Sequence, residues 1–214
     1  MFKRFMLMAG LVAMLMPTAI SCGNKKTEAA GKNMGIETIM NRKSVRSFTG
    51  EKLSEEQIET ILKAAMAAPS AMNYQPWSFV VVTDENVIAE NFAKGPRSEM
   101  FTKAGAIFVV CGDTTMTMPP REDPNGTPVT TESKFWHEDL GACTENLLLA
   151  VEALGLGGVW TGCWPAEERY LPLKEALGLP ETVVPYAVVP VGVPAGDDQP
   201  KDKWNPSKVH RNHW

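Results

Sequence analysis

Three cations lie within a single ten-residue stretch, Asn41-Arg-Lys-Ser-Val-Arg-Ser-Phe-Thr-Gly50. Arg42, Ser44 and Arg46 occupy alternate positions, so an extended backbone points their side chains to one side and Val45 to the other. Guanidinium groups beside a hydroxyl bind phosphate through charge-assisted, often bidentate hydrogen bonds. The spacing therefore indicates an anion-binding site, although basic clusters of this kind also occur as solvated surface patches.

A second stretch that could bind a ligand is Ala68-Pro-Ser-Ala-Met-Asn-Tyr-Gln-Pro-Trp77, between a predicted helix and a predicted strand. The side-chain amides of Asn73 and Gln75 can donate to and accept from the polar edge of a heterocycle. Their small neighbours would let a flat ring approach the backbone. An ordinary turn has the same composition, and the segment alone does not separate the two interpretations.

A third stretch, Gly155-Leu-Gly-Gly-Val-Trp-Thr-Gly-Cys-Trp164, is rich in glycine. Glycine here either ends a helix and forms a tight turn, or allows backbone N–H groups to face a ligand closely.

The familiar motifs of enzymes that act through their own side chains are absent from the sequence, which has no GxSxG, no phosphate-binding GxxxxGK[ST] and no HExxH. The histidines, His137, His210 and His213, lack the neighbours that a metal site needs, so no metal is predicted. Cys111 and Cys143 lie in apolar runs typical of core positions.

The net charge of −4 argues against a nucleic-acid partner. Any catalysis is therefore expected to depend on an organic cofactor.

The elements that must position these stretches alternate between helices and strands. Ser54 and Gln57 form a capping-box pattern, Asp84 is a second cap, and Pro185 and Pro190 restrict the last strand to edge or bulged pairing. This mixture predicts an α+β fold, with a central sheet and helices packed around it. The predicted helices cover 36–40, 85–94, 135–154 and 166–177, and a further helix follows the cap at Ser54 and ends before Pro69. The predicted strands cover 79–83, 104–111, 158–161 and 183–193, and 113–133 is a long loop.

Four motifs, Arg-Lys-Ser-Val-Arg-Ser-Phe, Ala-Pro-Ser-Ala-Met-Asn-Tyr-Gln-Pro-Trp, Gly-Leu-Gly-Gly-Val-Trp-Thr-Gly and Pro-Val-Gly, follow one another in this order. In that order and spacing the chain resembles the nitroreductase family of FMN-dependent oxidoreductases, from about Ile36 to Lys203. The resemblance implies an α+β sandwich with a central, mostly antiparallel sheet surrounded by helices. It also implies an intertwined homodimer with each FMN in a cleft between subunits. The apolar helix 135–154 suits such an interface, and a buried core helix would have the same pattern.

The resemblance also assigns residues to the cofactor. Gly162 and Cys163 stand where backbone N–H groups approach flavin N5; some relatives carry an acidic side chain at the position of Gly162, and that role does not transfer. Asn73 would bond the polar edge of the ring, with Gln75 close by. The phosphate and ribityl chain would be held by Arg42, Lys43, Ser44 and Arg46, with Lys201 and Lys203 reaching the phosphate from the C-terminal tail, and Pro69, Ser70 and Ala71 would lie along the isoalloxazine ring.

Family chemistry is ping-pong: NAD(P)H gives hydride to FMN and leaves, and a nitroaromatic or quinone acceptor takes its place. Phe135 and Trp136 are candidates for stacking on a flat acceptor, and packing in a dimer core is the other interpretation. Two alternatives stay open, a flavin-binding surface lipoprotein without turnover and a specialised member that resembles a reductive dehalogenase.

The first 21 residues resemble a bacterial lipoprotein signal. Lys3 and Arg4 precede twelve uncharged, mostly apolar residues, fewer than the roughly 20 that span a bilayer. Ala19 and Ser21 place small residues before Cys22, the predicted lipidation site; plain secretion is the alternative. Residues 22–34 suit a flexible tether to a domain at 35–214. The protein is thus expected to be exported and membrane-anchored on the periplasmic or surface side, where NAD(P)H is scarce. Either the physiological donor differs, or the interpretation of the N-terminus is wrong, or the flavin serves another purpose.

Overall fold

A computed structural model describes residues 34–115, 121–129 and 134–214 of the chain. The predicted signal segment 1–21, the lipidation site Cys22 and all of the tether except Met34 lie outside these residues. Among the described residues, no helix is long and apolar enough to cross a bilayer.

An antiparallel sheet forms the centre of the domain, and its strand order is β1-β2-β7-β5, with β6 also paired to β7. Within the described residues, six α-helices surround it, together with a separate two-stranded hairpin, β3 and β4, inside the predicted long loop. The α+β class with a central, mostly antiparallel sheet is confirmed. The helices are α1 (Met34–Asn41), α2 (Glu55–Met66), α3 (Glu85–Asn91), α4 (Ser98–Thr102), α5 (Trp136–Ala153) and α6 (Glu167–Ala176), and the strands are β1 (Trp77–Val82), β2 (Ala106–Asp113), β3 (Arg121–Glu122), β4 (Pro128–Val129), β5 (Gly157–Gly158), β6 (Thr161–Gly162) and β7 (Val183–Gly192).

The local signals in the sequence explain where several helices begin. Ser54 Oγ accepts from the Gln57 N–H at 3.2 Å, and Gln57 Oε1 accepts from the Ser54 N–H at 2.9 Å, which completes the predicted capping box of α2. Asp84 caps α3 through the N–H groups of Asn86 and Val87. Both caps satisfy donors that the first turn of a helix leaves unpaired.

Strand β7 is paired on both sides, so the edge position considered for it is wrong and the bulge is the correct alternative. The register with β2 shifts between Val110, which faces Ala187, and Cys111, which faces Pro185. This shift accommodates Pro185, which has no N–H to give to a ladder. On its other side β7 pairs only with the two-residue strands β5 and β6, which leave Pro190 between them.

Helix α5 packs its apolar stripe on the sheet. Leu140, Cys143, Leu147 and Val151 repeat at helical spacing and are all buried. The contact with β2 is close at Gly112, where a Cβ would collide with the side chains of Leu140 and Trp136. Helix α1 differs, because Ile39 and Met40 are 52% and 69% exposed in the single chain.

Candidate functional site

The basic stretch 42–46 is held against the sheet by one face, as its alternation predicts. Ser44 forms a parallel bridge to Gly158, and the Val45 N–H donates to the Gly158 carbonyl at 3.0 Å. Val45 and Phe48 are buried, so Val45 points into the core as the alternation predicts. Gly157 allows this approach, because a Cβ there would lie 2.7 Å from the Val45 Cβ. The residues that alternate with Val45 are thereby turned away from the core.

Two of the cations in this stretch are paired with carboxylates of α5. Arg42 Nε lies 3.0 Å from Glu145 Oε1, and Lys43 Nζ lies 3.2 Å from Glu152 Oε1. The Glu145 contact is made at the Nε of Arg42, and a guanidinium has two further terminal nitrogens that can donate to an anion. Arg46 is exposed and donates a 3.4 Å hydrogen bond to the Ser44 carbonyl.

The stretch 68–77 forms a strained loop around a 3₁₀ turn at Ala71–Asn73. Met72, Asn73 and Gln75 have φ values of 53°, 58° and 53°, in the left-handed region that costs side-chain-bearing residues free energy. Strain of this kind persists only where surrounding contacts impose it, and it concentrates at functional sites. The loop is therefore more than the ordinary turn that its composition allowed.

Asp139 on α5 is one of the contacts that impose the loop conformation. Its Oδ1 accepts from the Ala71 N–H at 2.9 Å, and Ser70 Oγ accepts from the Gln75 N–H at 3.0 Å. Burial raises the pKa of Asp139, and the hydrogen bond from Ala71 lowers it in part. Pro69, Asn73 and Gln75 remain exposed at the surface of this loop.

The third predicted stretch lies on β6, against β7. Gly162 faces open space, since a Cβ at this position would meet no atom within 4 Å. The Cys163 N–H donates to the Tyr186 carbonyl at 3.0 Å, which corrects the expectation that this N–H approaches flavin N5. Donors alternate in direction along an antiparallel pair, so the Gly162 N–H, one residue earlier, points away from β7. Of the two predicted donors, Gly162 is the one that the sheet leaves for a ligand.

A cavity of about 580 Å³ opens beside Gly162, between the α3–α4 segment and α6. Its volume lies in the range of small-molecule sites. Cys163 forms part of its floor, and Phe92, Met100 and Leu173 supply buried apolar wall.

The C-terminal tail passes the basic stretch before it reaches the predicted lysines. The Ala195 N–H donates to the Ser47 carbonyl at 2.9 Å, and the Thr49 N–H donates to the Val193 carbonyl at 3.0 Å. Lys201 and Lys203 are exposed and form no ion pair within the described part of the chain.

The two predicted stacking residues have different environments. Trp136 is buried, with its ring centroid 5.1 Å from that of Trp164 and 6.3 Å from that of Tyr186, both at steep interplanar angles. Trp136 therefore packs in the core of the single chain, which leaves the dimer-core interpretation untested. Phe135 is 50% exposed just before α5 begins.

The three cysteines of the domain are free buried thiols and form no disulfide. Burial raises the pKa of Cys111 and of Cys143 to about 12, and that of Cys163 to about 11. Thiols held neutral in this way are poor nucleophiles. Within the described residues, no group of three acidic, cysteine or histidine side chains is placed to hold a metal ion.

Comparison with known proteins identifies the class to which this fold and site belong. Residues 39–193 match the nitroreductase family. A protein of Archaeoglobus fulgidus named as an NADH dehydrogenase/NAD(P)H nitroreductase is 38% identical over 182 residues, which cover 84% of this chain and 98% of the relative. An FMN reductase (NADPH) of Bacillus subtilis is 29% identical over 171 residues, covering 76% of this chain and 67% of the relative.

Solved structures agree with the sequence matches. A crystal structure from Bacteroides thetaiotaomicron, of a protein also named as an NADH dehydrogenase/NAD(P)H nitroreductase, superposes with a TM-score of 0.74 at 36% identity. The match covers 85% of this chain and 99% of that one. The chain belongs to the nitroreductase family.

Proposed function

We propose that this chain holds FMN with its phosphate at the basic stretch 42–46 and its ring beside Gly162, and that it reduces flat quinone or nitroaromatic acceptors. As a member of the nitroreductase family it is an FMN-dependent NAD(P)H oxidoreductase. The proposal concerns its quinone and nitroaromatic acceptors and the residues that bind FMN.

The observation that carries the proposal is the alignment of two ligand-facing segments along β7. Ser44 lies at Gly158, whose partner on β7 is Val191, and Gly162 faces Ala187 four residues further along the same strand. Four residues of extended chain span about 13 Å. The predicted anion-binding segment and an open backbone donor thus lie four residues apart along β7, a separation that suits an elongated ligand with a phosphate at one end and a flat ring at the other.

Bound FMN supplies hydride transfer, taking two electrons from NAD(P)H and passing them to the acceptor. A quinone takes up the hydride and one proton to become a hydroquinone, and a nitro group becomes a nitroso group with loss of water. The chain's own residues bind and orient. Arg42, Lys43, Ser44 and Arg46 hold the phosphate, and the Gly162 N–H faces the reacting edge of the ring.

Both predicted cofactor segments of one chain are anchored on α5. The loop that contains Ala71 is tied to Asp139, whereas Arg42 is tied to Glu145 and Lys43 to Glu152. At 1.5 Å per residue these anchors lie roughly 9 and 20 Å from Asp139 along the helix axis. In the proposed homodimer, one FMN takes its phosphate contacts from one copy and the loop with Pro69, Ser70, Ala71, Asn73 and Gln75 from the other.

Exposed apolar side chains also favour a second copy. Ile39 and Met40 on α1, and Trp204 in the tail, are more than half exposed in the single chain. A tail packed across the partner would also bring Lys201 and Lys203 to the FMN phosphate. Because Trp136 is buried, Phe135 is the remaining candidate for stacking on an acceptor.

The N-terminus carries a separate proposal. The charged and apolar character of 1–21, with Ala19 and Ser21 before Cys22, supports export and lipid anchoring at Cys22. An exported enzyme would draw electrons from a donor other than cytoplasmic NAD(P)H. Mass measurement of the mature N-terminus tests this: a diacylated Cys22 supports it, and an intact Met1 contradicts it.

The experiment for the proposed function is reconstitution with FMN followed by turnover. The purified protein should be yellow, retain FMN through gel filtration as a dimer, and reduce a soluble quinone with NADH or NADPH. Protein that stays colourless after incubation with FMN would contradict the cofactor site.

A further inference from the structure

The cavity beside Gly162 has a positive rim that the cofactor assignment does not use. Lys94, Arg97 and Arg169 line it, and Glu168 is the one carboxylate among its lining residues. The chain as a whole carries a net charge of −4, so this concentration of positive charge is local. A cleft lined by one sign of charge attracts ligands of the opposite sign.

Two of these cations have no carboxylate partner among the described residues. Lys94 and Arg97 flank the turn at Gly95-Pro96 and form no ion pair within the part of the chain that the structure describes. Arg169 donates through Nη1 to the Gly162 carbonyl at 3.4 Å, a bond that leaves its other terminal nitrogen available. All three side chains are exposed, and therefore lie at the mouth of the cavity rather than at its floor.

Below this rim the cavity wall is apolar and partly aromatic. Phe92 and Phe101 pack with ring centroids 5.8 Å apart, and Met100 and Leu173 are buried beside them. An apolar wall with a few convergent polar groups is the usual construction of a site for a small organic molecule. A positively charged rim above an apolar wall favours a flat aromatic ligand that carries a negative group on its outer edge.

These cations stand apart from the predicted phosphate contacts. The basic stretch 42–46 meets the sheet at Gly158, whereas the cavity opens at Gly162, which pairs four residues further along β7. A cofactor phosphate at the first position is therefore not the group that the rim charges at the second position would bind.

We infer that the physiological acceptor is an anionic aromatic compound, a quinone or nitroarene with a carboxylate or sulfonate substituent that Arg97 and Lys94 bind at the rim. This inference rests on the proposed function, because it names the acceptor of the same site. Arg97 and Lys94 act as specificity-determining residues, and neither takes part in hydride transfer.

A matched pair of acceptors tests the inference. 4-Nitrobenzoate and 4-nitrobenzamide share a ring and a nitro group and differ in charge. In a ping-pong sequence, kcat/KM for the acceptor is independent of the donor half-reaction, so effects on NAD(P)H binding do not enter. We expect the FMN-loaded dimer to prefer the benzoate roughly tenfold at low ionic strength, and to lose most of that preference at 0.5 M NaCl, where the Debye length is only a few ångströms.

The variants Arg97→Gln and Lys94→Gln should each reduce kcat/KM for the benzoate several-fold and change that for the benzamide less than twofold. Lys63→Gln, on α2 and away from the cavity, is the matched control and should change neither. As a readout apart from activity, calorimetric titration with benzoate, which cannot be reduced here, should show weaker binding to Arg97→Gln than to wild type.

The outcomes separate the two proposals. If wild type reduces neither acceptor, the proposed function fails and the inference fails with it. If wild type reduces both equally, or if Arg97→Gln slows both equally, the inference alone is overturned. Loss of FMN from Arg97→Gln would also overturn it, because Arg97 would then belong to the cofactor site.

Discussion

Asp139 Oδ1 accepts a hydrogen bond from the Ala71 N–H at 2.9 Å, across 68 residues of sequence. The contact joins the first turns of α5 to a loop in which three residues carry positive φ. We expect Asp139→Ala to destabilise the fold by about 1–3 kcal/mol, because it leaves a partly buried N–H without its acceptor. Urea denaturation measures this, and FMN affinity should decrease in the same variant as the loop loses its anchor.

The charge of Asp139 gives a separate, pH-dependent prediction. Its pKa is raised by burial, so the folded protein binds this proton more tightly than the unfolded chain does. The stability that this group contributes is therefore greatest below about pH 4, and it decreases as the pH rises through the raised pKa. In Asp139→Asn, which keeps an acceptor oxygen without the charge, that decrease should be absent. The free energy of unfolding of the variant minus that of wild type should thus increase from pH 4 to pH 7, and a difference that does not change with pH would contradict it.

The phosphate assignment predicts a loss of cofactor in Arg42→Ala. Removing a charged hydrogen bond should weaken FMN binding by about 1.5–3 kcal/mol, while stability changes little because Glu145 is partly solvated. Quenching of FMN fluorescence gives the dissociation constant. Lys63→Ala should bind FMN like wild type, and unchanged affinity in Arg42→Ala would exclude this residue from the phosphate site.

Gly157 on β5 and Gly162 on β6 should respond differently to the same added methyl group. At Gly157 a Cβ would lie 2.7 Å from Val45, so Gly157→Ala should cost about 1–3 kcal/mol of stability through overpacking. At Gly162 the space is open, so Gly162→Ala should unfold like wild type. Equal thermal stability of the two variants would contradict the packing of the 42–46 stretch on β5.

The buried cysteines should resist alkylation. With pKa values of about 12 for Cys111 and Cys143 and about 11 for Cys163, few thiolates form at pH 8. Iodoacetamide should leave all three unlabelled in the folded protein and label all three in guanidinium chloride, as read by peptide mass spectrometry. Labelling of native Cys163 would show that the cavity floor is more open than the structure has it.

Much of the fold was predictable because its signals are local. The Ser54–Gln57 capping box, the Asp84 cap and the alternation that buries Val45 each depend on a few adjacent residues. The central position of β7 was not predictable, since it depends on two-residue strands too short to show a pattern.

The site shows the same division between local and distant signals. Alternate spacing indicated Arg42, Ser44 and Arg46, but their partners on α5, Glu145 and Glu152, are about a hundred residues away and carry no pairing signal in one sequence. The loss of Cys163 as a donor follows from strand register, which Gly162-Cys163 alone does not fix. Among the missed cavity cations, Lys94 and Arg97 did have a local signal, since they flank Gly95-Pro96, a turn between two helices.

The central claim is that this chain uses bound FMN to take hydride from a reduced nicotinamide. Anaerobic titration of the FMN-loaded protein with NADH, and separately with NADPH, measures that step alone. We predict that one equivalent of at least one nicotinamide per FMN bleaches the visible flavin absorbance, and that adding a quinone restores it. A yellow protein that neither nicotinamide bleaches would contradict the account.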